Sequence, residues 1–262
     1  MFIPLHDRNG LEHIRLQYVT ITLIVINVLA WLVTGPLAGE EIAARAATGL
    51  GFIPAVVFDF ATLDPSLAIV PPDATLVTYA FLHTDIIHLG SNMLFLWVFG
   101  DNVEDALGHV RFLIFYIACA VAGALTHGLL MPHSPGPLIG ASGAVSGVIA
   151  AYLLLHPKVR VWVLVLFRLP LPLPAFVPLL FWVGQQFFML FVGDASGVSW
   201  GAHVGGIITG ALLVLVMRRR GVPLFDRTIV TPKAVEHSAA APSPSPVKTD
   251  TPHRAIKWGR PE

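Results

Sequence analysis

A serine and a histidine, each set among glycines, are the residues of this sequence best suited to covalent chemistry. Ser142 lies in Gly140-Ala141-Ser142-Gly143, with Gly147 following. Where such a string opens a helix, free backbone N–H groups face incoming negative charge, which suits a tetrahedral oxyanion. Packed membrane helices also use small-residue strings, so taken alone the string reads first as a packing face. His203 lies in Trp200-Gly201-Ala202-His203-Val204-Gly205-Gly206. A neutral imidazole can take a serine proton and return it to a leaving amine. The plain alternative is a histidine that bonds a neighbouring helix or sits at the water interface. Gly206 and Gly210 form a Gly-x-x-x-Gly face that lets their helix lie close to a partner. A Ser–His pair drawn from two helices requires that closeness.

His88 and Asn92, spaced i, i+4, share one helical face and carry donors able to reach an oxyanion. The alternative is a simple interhelical hydrogen-bonding pair. His83, five residues before His88, falls slightly off that face. Three histidines raise the question of a metal, but no carboxylate stands at ligand spacing and His-Glu-x-x-His is absent, so neither metal nor cofactor is expected. Ser146, one turn beyond Ser142 and also followed by glycine, is the competing nucleophile. Further on, Gly100, Asp101, Glu104, Asp105 and Gly108 read either as a solvated acidic turn or as a place where Glu104 is buried and caps backbone groups.

The elements that must position these side chains are apolar. The 262-residue chain is 55% hydrophobic and only 12% charged, with a mean hydropathy of +0.73; soluble domains carry roughly 25% charged residues. Net charge near zero gives no sign of a nucleic-acid partner. The single cysteine, Cys119, excludes an intrachain disulfide and a cysteine-based metal site. No cleavable signal is evident, because the first apolar run is long enough to span and no small-residue cleavage site follows closely. Apolar runs at about 16–34, 76–99, 111–131, 139–156, 174–192 and 200–217 predict six membrane helices. Arg8, Arg15, Arg111, Lys158, Arg160, Arg168 and Arg218 to Arg220 fall on one side and only Arg45 on the other, which places both termini in the cytoplasm. Ser142, His203, His88 and Asn92 then share one depth near the outer face. Residues 35–75 form a long external loop whose Phe52, Ile53, Val56, Val57 and Phe58 suit the membrane surface. Residues 157–173 read as an interfacial segment, because Pro170, Pro172 and Pro174 break a spanning helix. The expected domains are a cytoplasmic segment 1–15, a membrane domain 16–217, and a disordered cytoplasmic tail 218–262 rich in Pro, Ser and Ala.

Taken together, His83, His88-x-x-x-Asn92, Glu104-x-x-x-Gly108, Gly140-x-Ser142-Gly143 and Ala202-His203-x-x-Gly206 resemble the rhomboid family of intramembrane serine proteases. The resemblance covers about 16–217. It implies an all-α, six-helix polytopic bundle in which Ser142 and His203 form a dyad without an acid. His88, Asn92 and the Ser142 N–H would hold the oxyanion, and the fifth helix would admit transmembrane protein substrates from the lipid bilayer. In the family pattern the nucleophile is Ser142 and not Ser146. The Trp-Arg pair often found in the family's first external loop is missing, since 35–75 contains no Trp. The charge bias and compact plan predict a bacterial plasma membrane. A non-cleaving relative and a transporter are the rival readings: the first typically lacks the Ser or His, and the second would carry acids at its helix centres.

Overall fold

The structure, a computed structural model, describes residues 2–165, 168–193 and 197–225. Apolar helices dominate it. α1 (Tyr18–Thr34) is followed by α2 (Glu40–Leu50) and by the single turns α3 (Pro54–Val57) and α4 (Thr75–Thr78). The bundle continues with α5 (Ile86–Leu107), α6 (His109–Leu130), α7 (Ser142–Leu155), α8 (Phe176–Val192) and α9 (Trp200–Met217). Among the described residues, the helices at Tyr18–Ala38, His109–Leu130 and Trp200–Met217 are long and apolar enough to cross a bilayer; α7 and α8 are shorter apolar helices. Large apolar side chains such as Val33, Leu129, Phe191 and Val216 face outward. Such a surface suits hydrocarbon and not water, and the chain is a membrane protein.

The expectation of an all-α chain is corrected by a sheet. β1 (Phe2–Asp7), β2 (Arg160–Val165) and β3 (Leu169–Pro174) form one antiparallel sheet in the order β1-β2-β3. The segment read as interfacial is therefore a hairpin to which the N-terminus adds a strand. The prolines that exclude a spanning helix are compatible with this edge. Leu169, Leu171 and Leu173 pair with Val165, Val163 and Val161. Antiparallel bonding alternates along a strand, so these leucines donate to β2 while Pro170, Pro172 and Pro174 turn their missing donors outward. The outer edge of β3 thus offers no N–H to an incoming strand. Val161 and Val163 are fully buried beneath the sheet.

The second apolar run also differs from expectation. The helix does not start at 76: a turn at α4 and a 3₁₀ turn at Tyr79–Phe81 come first. Asp85 then caps α5, its Oδ1 accepting from the N–H of Ile87 and His88 at 2.8 Å each. The helix runs on through the acids to Leu107 and ends at Gly108, whose φ of 88° suits glycine. The acids are tolerated there because they serve the N-terminal segment. Glu104 is fully buried; Oε1 accepts from Val19 N at 2.9 Å, and Oε2 from Thr20 N and Thr20 Oγ1 at 2.8 and 2.7 Å. Gln17, the N-cap of α1, makes no side-chain cap, so Glu104 does that work from another helix, as the capping alternative anticipates. Asp105 likewise accepts from the N–H of Glu12, His13 and Ile14.

α7 is the axis of the bundle: Gly143 through Tyr152 is continuously buried. Glycines permit this. A Cβ on Gly206 would collide with the Gly143 carbonyl oxygen, and one on Gly210 with that of Gly147, so α9 lies on α7 backbone to backbone. Past α9 the chain stays on the bundle: Arg219 N donates to Ala106 O at 2.8 Å and Phe225 N to Leu154 O at 2.7 Å. Of the tail expected over 218–262, residues 226–262 lie outside the described residues.

Candidate active site

Ser142 is the first residue of α7. The first helical bond there runs from Val145 N to Ala141 O, so the N–H groups of Ser142, Gly143 and Ala144 precede the intrahelical ladder. Gly140, at φ 125°, turns the chain into this helix. Its bare Cα is required by a neighbour as well: a Cβ there would lie 2.7 Å from both Cε1 and Nε2 of His88, and 3.8 Å from Ser142 Oγ. The ring edge of His88 and the Ser142 hydroxyl therefore flank one small space over Gly140. His88 Nδ1 is tied to Thr84 Oγ1 at 3.1 Å, which leaves Nε2 as the atom facing that space. Asn92, one turn on and buried, donates from Nδ2 to His88 O at 3.1 Å. His83 is buried with both ring nitrogens unpartnered among the described residues, its ring against that of His88 with centroids 5.0 Å apart. Ser146, the competing hydroxyl, is 1% exposed and donates to Ser142 O at 2.6 Å, so it is engaged in its own helix.

His203 sits in the first turn of α9, which is fixed at both ends of that turn. Ser199 Oγ caps it by accepting from Ala202 N at 3.2 Å and is itself held by His127 Nδ1 at 2.8 Å. The His203 ring lies between two indoles, with centroids 6.2 Å from Trp182 and 5.9 Å from Trp200. Its Nδ1 is 2.8 Å from Oε1 of Gln186 on α8. The amide orientation follows from the other end of the same side chain: Gln186 Nε2 donates to Trp182 O at 2.9 Å. Oε1 is thus the atom presented to His203, an acceptor that selects the Nδ1–H tautomer and leaves Nε2 unprotonated. Nothing in the sequence alone assigned a partner to His203; the signal was the pair Gln185-Gln186 in an otherwise apolar run, and only the fold tells which of the two turns inward.

The four site residues drawn from the sequence fall at one end of α5, α7 and α9. His88 and Ser142 meet over Gly140, and Asn92 stands beneath His88. His203 reaches the same end through the glycine contact of α9 on α7, but no hydrogen bond joins it to Ser142 Oγ among the described residues.

An apolar helical bundle that holds a helix-opening serine, two histidines and a buried amide at one end defines a class: membrane proteins with a polar cluster inside the bundle. Residues 74–220, from α4 to just past α9, match the model of the rhomboid domain, and the chain belongs to the rhomboid family. It is 32% identical over 154 residues to RHOMBOID-like protein 12, mitochondrial, of Arabidopsis thaliana, covering 53% of this chain and 44% of that protein. It is 36% identical over 98 residues to inactive rhomboid protein 1 of Drosophila melanogaster, covering 36% and 7%. It is 40% identical over 78 residues to rhomboid protease GluP of Bacillus subtilis, covering 30% and 15%. The chain thus spans less than half the length of these relatives.

Proposed function

We propose that this protein is an intramembrane serine endopeptidase that cleaves transmembrane segments of membrane proteins near the outer membrane face, with Ser142 as nucleophile and His203 as base. The observation that carries the reading is the backbone contact of α9 on α7 at Gly206 and Gly143, because it holds the hydroxyl-bearing and imidazole-bearing helices together at one end of the bundle. In this mechanism Gln186 keeps Nδ1 protonated and Nε2 of His203 takes the proton from Ser142 Oγ as the oxygen attacks a peptide carbonyl. The oxyanion is stabilised by the His88 ring, the Asn92 amide and the N–H of Ser142. His203 returns the proton to the leaving amine, and a water, deprotonated by the same imidazole, frees the acyl-enzyme. Catalytic hydrogen bonds are commonly long in unliganded sites and tighten with substrate, which accommodates the missing Ser142–His203 bond. Substrate segments weakened by Gly, Pro or polar residues are favoured, since an intact helix hides its carbonyls. Six spans are proposed from the apolar runs, and both termini in the cytoplasm from the charge bias. The relatives include mitochondrial proteins, so the comparison does not support the bacterial plasma membrane expected from that bias.

The match to an inactive rhomboid favours one second reading, a protein that binds membrane clients without cutting them. One assay separates the two. Purified wild type in liposomes is expected to cleave a single-span substrate and to be labelled by a fluorophosphonate, and Ser142→Ala is expected to do neither. Cleavage by Ser142→Ala ends the dyad mechanism, and a folded wild type that binds the substrate without cleaving it establishes the client-binding reading.

A further inference from the structure

The end of the bundle far from Ser142 carries a second constellation. A cavity of about 530 Å³ opens at the α5–α6 corner, lined by Leu107, Gly108, His109, Arg111, Arg219 and Arg220. We propose that this cavity binds the phosphodiester headgroup of an anionic lipid.

The first argument is charge. Three guanidinium groups ring one space, and the carboxylates nearest in sequence are already taken by donors other than arginine. Glu104 is committed to α1 and to His109 Nδ1, and Asp105 to the backbone of residues 12–14 and to His13. Among the described residues both ion pairs involve histidine, His13 with Asp105 and His109 with Glu104, and neither involves arginine. Cations held together without a carboxylate repel one another unless an anion joins them.

The second argument is placement. Arg219 is pinned by its N–H to Ala106 O, and its Nη2 would lie 2.9 Å from a Cβ at Gly108. Its Nε is buried with no partner. Arg111 is steadied by Nη1 donating to Met217 O at 3.2 Å. The Arg111 fork is thus positioned by a backbone carbonyl and the Arg219 backbone by another, and neither contact answers the guanidinium charge. The start of α6 adds donors on the same side: Gly108 supplies no side-chain cap, and the first helical bond is Phe112 N to Gly108 O. The N–H groups of His109, Val110 and Arg111 precede it. Guanidinium forks and free helix N–H groups together recognise phosphate oxygens.

The third argument selects a lipid over a free anion. Val110, in the cavity lining, is 72% exposed, and Ile114, one turn on along α6, is exposed as well. The rim of the cavity is therefore hydrocarbon-facing on the side where acyl chains would descend, and a basic pocket between helix ends at headgroup level suits an anionic lipid.

The test uses the full chain in neutral detergent with three probes: phosphatidylglycerol, phosphatidylcholine and inorganic phosphate. Native mass spectrometry reads bound lipid, and a thermal scan reads protection. Phosphatidylglycerol is expected to be retained and to raise Tm, and phosphatidylcholine to do neither. Arg111→Gln/Arg219→Gln/Arg220→Gln is expected to weaken retention on the order of fivefold for each arginine removed. Lys158→Gln/Arg160→Gln/Arg168→Gln, an equal loss of charge near the sheet, is expected to leave it unchanged. Equal loss in that control reduces the effect to diffuse surface charge and overturns the proposal. Equal protection by inorganic phosphate overturns the lipid as occupant, and equal retention of both lipids overturns the site. If the triple variant does not fold, Arg220→Gln alone, an exposed position, reads the same affinity.

Discussion

Replacing Gln186 by leucine tests whether an amide does here what a carboxylate does in acid-containing triads. The substitution keeps the size and apolar stem of the side chain but removes the acceptor 2.8 Å from His203 Nδ1. Two consequences follow from the geometry. The tautomer with Nε2 free for Ser142 loses its bias, and a ring nitrogen inside the bundle is left without a partner, at a penalty of about 1–3 kcal/mol. At about 1.4 kcal/mol per tenfold, kcat falls roughly 5- to 150-fold. Because the Gln186 side chain is buried and bonds only His203 and its own helix among the described residues, KM is expected to stay within about twofold. Gln186→Glu keeps an acceptor on the same atom and is expected to recover most of the rate. The assay is cleavage of a single-span fluorogenic substrate in liposomes, with kcat and KM separated and Tm recorded alongside. A leucine variant that keeps full kcat refutes the tautomer argument. So does a glutamate variant as slow as the leucine one, and so does a loss of rate that merely follows Tm.

Three further perturbations probe the frame around the site. Glu104→Ala removes the cap of α1 and leaves the buried Thr20 donors unmet, so stability is expected to fall by about 3–5 kcal/mol, read as denaturant or thermal midpoint in mild detergent. Gly206→Ala drives a methyl into the Gly143 carbonyl and is expected to abolish cleavage, whereas Gly184→Ala, with no atom within 4 Å of the new methyl, is expected to leave cleavage intact. Burial pushes the Asp7 carboxyl up to about 6 from 3.8, against the opposing hydrogen bond from Tyr152. The fold therefore binds this proton more tightly than the unfolded chain. The resulting stabilisation is present below about pH 3.8 and is lost as pH rises through about 6, a change of up to about 3 kcal/mol. Asp7→Asn is expected to flatten that fall; an unchanged pH–Tm curve in the variant counts against it.

The site was more legible in the sequence than the frame, for a physical reason. His88, Asn92, Ser142 and His203 are polar residues in apolar runs, and each run fixes the depth of its own polar residue, so a common level can be read without knowing how the helices pack. Partners cannot be read in this way. Gln186 meets His203 across 17 residues through the approach of α8 to α9, and the spacing of Gln185-Gln186 within its own run carries no information about that approach. The sheet was hidden for a similar reason. Val161 to Phe167 reads as apolar whether helical or extended, and the prolines after it exclude one structure without naming the other; the strand that decides the matter comes from residues 2–7, more than 150 positions away.

The acids of α5 show how local rules mislead when the answer is tertiary. Asp101, Glu104 and Asp105 look like the end of a membrane helix, because charge in an apolar run normally marks the water boundary. The helix nevertheless continues to Leu107, because Glu104 and Asp105 find donors that the helix itself does not supply, while Asp101 accepts from the neighbouring Asn102. Glu104 takes the unpaired N–H groups that open α1, Asp105 takes the turn before it, and Asn102 reaches Asp7 of β1 at 2.9 Å. Tyr152 of α7 reaches the same carboxylate at 2.8 Å. One cluster thus fastens the N-terminal segment, α5 and the far end of the helix that begins at Ser142. A loosened Asp7 is therefore expected to act on the position of α7 as a whole, and through it on the Ser142 end of that helix.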